Sequence, residues 1–170
     1  MANINTRGVI LLEFNLIPFA SEIAKKKAIA EILKCNDLTE KYGLVLNEKE
    51  ALELVEIRTA SLKNNGRMEF GAGIIDKLIK EFCDSPYISQ RDYQKILQEL
   101  IDIFYYYKNE TMDLISDDDL IKFMKKSFNG VCGGSLELLS GRELHKLAEN
   151  LRFGFSEDSS EEEEEEDDEE

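Results

Sequence analysis

Residues 92–108 read DYQKILQELIDIFYYYK, and this stretch decides the predicted fold. Its apolar residues recur at helical spacing, and in its second half they cover much of the helix circumference. Because successive helical residues point about 100° apart, Phe104 to Tyr107 cannot all share one face. The stretch therefore predicts a long helix, opened by Ser89 and Asp92, that either lies at the centre of the domain or carries an exposed aromatic surface.

Capping signals on both sides of this stretch predict a mostly α compact helical bundle of about five or six helices. Asn47 and Glu50 have the spacing of a capping box, and the asparagines and glycine at residues 64–66 favour the end of that helix. Ser116, followed by three aspartates, predicts another helix start because acidic groups there complement the helix dipole. Further helices are predicted over residues 21–35, 72–83 and 140–151.

Two short apolar runs leave an alternative open near the N-terminus. Residues 9–16 and Leu44 to Leu46 are too short for their periodicity to separate strand from helix. If both are strands, they can pair as a minimal β-ribbon beside the helices.

The net charge of the chain is concentrated at one end. Twenty-one Lys and Arg against 36 Asp and Glu give −15, but residues 156–170 hold twelve acids and no base. Residues 1–155 therefore carry 24 acids and 21 bases, a charge of −3. A run of like charges with nothing apolar to bury predicts disorder. We expect a single helical domain over residues 1–155 and a disordered acidic tail over residues 156–170.

Composition also bears on partners and compartment. Without a cluster of Lys and Arg to displace counterions, nucleic acid is a poor candidate ligand, and a basic protein is the natural counterpart of the tail. The three cysteines lack a C-x-x-C pair, which is typical of reduced thiols in the cytoplasm. The apolar run after Arg7 is too short for a signal peptide, and no run is long enough to span a bilayer. We expect a cytoplasmic protein without membrane segments.

Residues 71–76, GAGIID, begin like a dinucleotide-binding fingerprint, but Asp76 replaces its third glycine. The polar residues before them do not resemble the first strand of a parallel sheet. The favoured interpretation is a glycine turn that precedes a helix. An alternative is a small-anion site formed by Arg58, Arg67, Gly71, Gly73 and the N–H groups of the helix start.

Catalytic and metal-binding patterns are poorly supported. Cys132 lies in a glycine-rich loop thirteen residues before the one histidine, His145, so a Cys–His pair is conceivable if a helix start and base lower the thiol pKa. Arg142 occupies the position where a di-iron motif needs glutamate. Asp117 to Asp119 lack the later glycine and glutamate of a calcium loop. We expect no cofactor and no metal.

Four segments carry a resemblance to a known family: NLIPF at residues 15–19, RMEFGAGII at 67–75, FCDSPYI at 82–88 and IFYYYKNET at 103–111. The chain resembles a family of small uncharacterised bacterial proteins, mainly from anaerobic Gram-positive organisms, known as a domain of unknown function. The resemblance extends from about residue 10 to about residue 140. It implies a bacterial cytoplasmic setting and no particular activity, so it assigns no functional residue.

The favoured function is binding to another protein without catalysis. Tyr105, Tyr106 and Tyr107 are candidate partner-binding residues, because tyrosine recurs at interfaces, although core packing is the competing use of the three rings. The acidic tail would attract a basic patch on the partner, and its alternative role is only to keep the protein soluble. The competing hypothesis is a small-molecule or anion-binding enzyme whose pocket lies at residues 58–88, near Arg58, Arg67, Glu69 and Tyr87.

Overall fold

Residues 21–154, the part of the chain that the computed structural model describes, fold into helices joined by turns. The elements are α1 (residues 21–34), α2 (Asn36–Thr39) with a 3₁₀ turn (Glu40–Tyr42), α3 (Glu48–Asn64), α4 (Ile74–Phe82), α5 (Tyr93–Glu110), α6 (Asp117–Asn129), α7 (Leu136–Leu138), a π-helical segment (Leu139–Leu144) and α8 (His145–Phe153). The last three elements are continuous. Six helices longer than one turn therefore make up the described fold, which confirms the predicted all-α architecture.

The helix α5 lies at the centre of the bundle. It packs along α3 and also contacts α4, α6 and α8. Six of its large side chains are at most 1% exposed: Tyr93, Leu97, Leu100, Ile101, Phe104 and Tyr105. Because apolar residues cover most of its circumference, the helix can bury several of its faces against different neighbouring helices at once. This confirms the first of the two interpretations of residues 92–108.

Two predicted helix starts are confirmed by their hydrogen bonds. The Asn47 side chain accepts from the Glu50 amide at 2.9 Å, and the Glu50 carboxylate accepts from the Asn47 amide at 2.8 Å. The Ser116 hydroxyl accepts from the Asp119 amide at 3.1 Å. Each bond satisfies an amide that the first helical turn leaves without a partner. Local sequence therefore fixes where α3 and α6 begin.

The predicted start of the last helix at Ser140 is wrong. The helix begins at Leu136, because the Ser135 hydroxyl accepts from the Leu138 amide at 3.2 Å. Ser140 and Gly141 look like a boundary in the sequence, but the wider π-helical turn accommodates them without a break. The Ser140 carbonyl then accepts a hydrogen bond from the hydroxyl of Tyr107.

The stretch Leu44 to Leu46 is not a strand, and no strand occurs within residues 21–154. Side chains take the place of a neighbouring strand. Asn36 bonds both the amide and the carbonyl of Leu46, at 2.9 and 2.8 Å, and Gln90 does the same for Val45, at 2.8 and 2.9 Å. The other half of the predicted ribbon, residues 9–16, lies outside the described residues, as does the acidic tail at residues 156–170.

Candidate functional site

The connection between α3 and α4 is held by side chains from distant parts of the chain. We name residues 67–73 the anchored loop. Arg58 of α3 donates to the carbonyl of Gly71, and Glu31 of α1 accepts from the amide of Ala72 at 2.7 Å. At the start of the loop, the amide of Arg67 bonds the Leu62 carbonyl at 2.8 Å and closes α3. The loop is therefore fixed at both ends of its sequence.

Glu69 joins the anchored loop to the core. One of its carboxylate oxygens, Oε2, accepts from the Tyr105 hydroxyl at 2.6 Å and from the Ile74 amide at 3.4 Å. Burial and the bond to Glu69 raise the pKa of the Tyr105 hydroxyl well above its ordinary value, so the hydroxyl stays protonated and donates. A Cβ at Gly73 would overlap Glu69 Oε2, and Gly73 has a φ of +56°. Glycine is therefore required beside this carboxylate.

The residues on either side of Glu69 face solvent. Met68 is 85% exposed and Phe70 is 86% exposed, the highest values among large apolar side chains in residues 21–154. Sequence reasoning missed both residues as candidates. The available signal was the alternation of Met68, Glu69 and Phe70, since a period of two places alternate side chains on opposite sides of an extended chain. The loop thus holds a charged group inward and presents two apolar groups outward.

The alternative interpretation of residues 71–76, a small-anion site at the start of α4, meets competing groups in the structure. Two amides at this turn bind carboxylates of the chain itself, Ala72 that of Glu31 and Ile74 that of Glu69. These acids satisfy the positive end of the helix dipole from within. Gly71 and Gly73 make room for them, because a Cβ at Gly71 would also lie 2.9 Å from Glu31 Oε2.

Arg67 is occupied elsewhere. Its Nε donates to Asn109 at 2.8 Å and its Nη2 to Asp113 at 2.7 Å. The hydrogen bond from Arg67 holds the pKa of the Asp113 carboxyl below its usual range. Arg67 therefore ties the end of α3 to the end of α5, and it does not face the turn before α4.

Arg58, unlike Arg67, is buried beside a cleft. It is 6% exposed and lines a cleft of about 370 Å³ that α1, α3 and the anchored loop enclose. Glu69 and Phe70 line the same cleft, so two of the four residues named for the alternative pocket, Arg58 and Glu69, lie together. Tyr87 lies elsewhere, with its ring edge-on to Phe128 at 6.1 Å, and Arg67 does not line the cleft either.

Cys132 and His145 do not form a catalytic pair. Cys132 is buried, and its burial raises the pKa of the thiol, with the charge of Glu143 adding to the effect. His145 is exposed, and its Nε2 lies 3.3 Å from the Glu149 carboxylate. No hydrogen bond joins the two side chains. A raised pKa and a base turned to solvent are the opposite of what a nucleophilic thiol needs.

The three consecutive tyrosines have separate environments. Tyr105 and Tyr107 are buried, and their hydroxyls bond Glu69 and the Ser140 carbonyl. Tyr106 is 55% exposed, with its ring edge-on to Tyr107 at 5.0 Å. Residues 105–107 therefore offer a partner one ring and not three, because 100° steps along a helix point the side chains in different directions.

Two kinds of feature are absent from residues 21–154. No helix in this range is long and apolar enough to cross a membrane. No group of three His, Cys, Asp or Glu side chains in the same range could hold a metal ion. The described fold is an all-α bundle with an anchored surface loop and an adjoining cleft.

The family model for a family of unknown function, DUF6323, matches residues 31–157. The chain belongs to this family. The match covers the end of α1 and all of α2 to α8 with the anchored loop, and it begins and ends later in the chain than the resemblance seen in the sequence. Neither a curated protein nor a solved structure matches the chain.

Proposed function

We propose that this protein is a non-enzymatic interaction module that binds a partner protein through the anchored loop. The observation that carries the proposal is the outward display of Met68 and Phe70 beside an inward Glu69. Single exposed apolar residues are ordinary on protein surfaces, but two in one fixed loop form a compact apolar contact. Large side chains of this kind supply most of the binding energy at many interfaces.

The anchoring of the loop supports this function. Contacts from α1, α3 and α5 reach the loop through Glu31, Arg58 and Tyr105. Binding costs conformational entropy when a loop must be ordered on association, so a loop fixed beforehand loses less. A rigid scaffold that carries an exposed loop is a common arrangement for recognition sites.

The partner we propose has an apolar depression for Met68 and Phe70 and a basic patch outside it. Residues 156–170 carry twelve acids and no base, and their charge would attract such a patch over a distance. This attraction weakens with salt because the Debye length is about 8 Å at physiological ionic strength. The loop gives specificity, and the acidic residues raise the association rate.

The proposal is tested by capture from native lysate with three forms of the full chain. They are the unchanged protein, the double variant Met68→Ser and Phe70→Ser, and a control in which the exposed Tyr106 is changed to Ser. We expect a partner that is retained by the unchanged protein and the control and lost with the double variant. A partner captured equally by all three forms would contradict the role of the anchored loop.

The role of the acidic residues is tested on the purified partner. Deleting residues 156–170 should slow association several-fold at low salt and change it little at high salt, because screening removes the same attraction. The dissociation rate should stay nearly constant. An association rate unchanged by the deletion at low salt would leave solubility as the role of these residues.

A further inference from the structure

The cleft beside the anchored loop has the size and walls of a small-ligand site. Its volume of about 370 Å³ lies within the range of small-molecule pockets, which begins at about 300 Å³. Val55 and Phe70 contribute apolar surface, and Thr59 contributes a polar side chain. Residues of α1, α3 and the anchored loop line the cleft, and the bond from Arg58 to Gly71 joins α3 to the loop.

Arg58 is a buried cation with most of its hydrogen-bonding capacity unused within residues 21–154. Its Nη1 donates to the Gly71 carbonyl, whereas its Nε is buried and has no partner. No carboxylate in this range lies within 4.0 Å of its guanidinium, although Glu69 Oε2 lies near Nη1, on the other side of the space that a Cβ at Gly73 would fill. Burying an unpaired charge is costly, and a guanidinium is matched best by a carboxylate or phosphate that accepts two bonds. An anionic ligand group bound in the cleft would therefore stabilise the Arg58 guanidinium.

The other charges of the cleft exclude a simple anion. Glu22, Glu56 and Glu69 line it, and among residues 21–154 Lys25 is the one further cation of the lining, paired with Glu56 at 3.0 Å. Glu69 uses Oε2 for both of its bonds, and its Oε1 accepts none from residues 21–154. An anion alone would gain from Arg58 and be repelled by these carboxylates. A ligand that also carries a positive group would satisfy both sides.

We propose that this cleft binds a zwitterionic small molecule of the amino-acid class. Its carboxylate pairs with Arg58, its ammonium group with Glu69, and an apolar side chain packs against Phe70 and Val55. The site goes beyond the proposed interaction function and does not rest on it. It also differs from the alternative anion site inferred from the sequence. That site offers donors to an anion only, whereas this cleft also offers the Glu69 carboxylate to the ammonium group of the ligand.

The first test varies the ligand, so it depends on no variant that could fail to fold. Binding of L-leucine and L-phenylalanine to the full chain is measured by calorimetry and by the shift in Tm. We expect binding at micromolar to millimolar concentration. N-acetyl-leucine and leucinamide each lose one charged contact and should bind at least about tenfold more weakly, as the loss of one such hydrogen bond implies.

The second test varies the protein. Glu69→Gln should weaken leucine at least about tenfold and should not weaken N-acetyl-leucine, since that ligand has no ammonium group to lose and is no longer repelled by the Glu69 charge. Arg58→Lys should weaken both ligands. Glu99→Gln and Arg91→Lys are matched controls outside the cleft and should change neither. Met68→Ser, which impairs the proposed partner surface, should leave leucine binding intact and so separates the two functions.

Three results would overturn the proposal. They are no binding of either amino acid at millimolar concentration, equal binding of the charged and blocked ligands, and binding of N-acetyl-leucine that exceeds that of leucine. The last result would instead indicate a plain anion site at Arg58. Circular dichroism of each variant separates loss of binding from loss of fold.

Discussion

Two connections between helices show the same alternation of side chains with opposite chemistry. In Leu44-Val45-Leu46 the outer two residues are buried, at 1% and 4% exposure, and the middle one faces solvent. In Met68-Glu69-Phe70 the outer two face solvent, and the middle one turns to Tyr105 in the core. The first connection gains stability from apolar burial. The second is held by hydrogen bonds and charge, which leaves its apolar side chains available for binding.

Truncating the buried connection should give the largest effect. Leu44→Ala removes a side chain of the core and leaves a cavity, so the free energy of unfolding should fall by about 2–5 kcal/mol. Phe70→Ser in the anchored loop should change it by less than about 0.5 kcal/mol, because the ring is exposed. Urea unfolding of the full chain measures both. Equal losses in the two variants would remove the contrast between the connections.

The next largest loss of stability is expected at Asn36, whose side chain bonds the backbone of Leu46 as a neighbouring strand would. Asn36→Ala leaves the amide and carbonyl of Leu46 without partners, and we expect a loss of about 2 kcal/mol in unfolding free energy. Gln90→Ala removes the equivalent bonds of Val45, which water can replace because that site is exposed. Its cost should stay below about 1 kcal/mol. A larger loss for Gln90→Ala than for Asn36→Ala would contradict this account.

The difference between the two connections also shows where sequence reasoning succeeds. The caps at Asn47 and Ser116 depend on residues three apart, so short spacing is enough to predict them. The burial around α5 follows from its periodicity. The predicted start of the last helix is wrong because Ser140 and Gly141 lie within a π-helical turn. In the sequence these two residues have the same pattern as a helix boundary.

The candidate site could not be predicted from short sequence spacings as the helix caps could. Its loop is positioned by Glu31, Arg58 and Tyr105, which lie on three helices and far apart in the chain. Their convergence depends on how the helices pack, and a single sequence does not record that packing. Arg58 was a candidate by residue type alone, whereas its burial and the cleft beside it are properties of the tertiary fold.

A smaller effect is expected where the anchored loop meets the core. Tyr105→Phe removes the donor to Glu69 and keeps the ring packing, so the unfolding free energy should fall by about 1 kcal/mol. The larger consequence should be local. Hydrogen exchange at the amides of Ala72 and Ile74 should accelerate, while the protection of α5 stays close to that of the unchanged protein. Uniform acceleration along the chain would mean that Tyr105 supports the whole fold and not the loop.

The smallest effect concerns the tie that Arg67 makes at the edge of the anchored loop. The hydrogen bond from Arg67 lowers the pKa of Asp113 below its ordinary value of 3.8, so the folded state binds a proton less readily than the unfolded state. The interaction between Arg67 and Asp113 therefore stabilises the fold fully above pH 3.8. This stabilisation is lost as the pH falls through the lowered pKa of Asp113. Since Asp113 is half exposed, we expect Arg67→Ala to cost only about 0.5 kcal/mol near neutral pH.

The pH series provides the control for this prediction. Below the lowered pKa of Asp113, this pair stabilises neither the unchanged protein nor Arg67→Ala, so the difference between their unfolding free energies should shrink to the contribution of the bond from Arg67 to Asn109. The bond from Arg67 to Asn109 does not titrate, and Asn109→Ala should give a loss that is constant over the same pH range. If the difference between Arg67→Ala and the unchanged protein were also constant with pH, Asn109 and not Asp113 would be the partner through which Arg67 holds the loop edge.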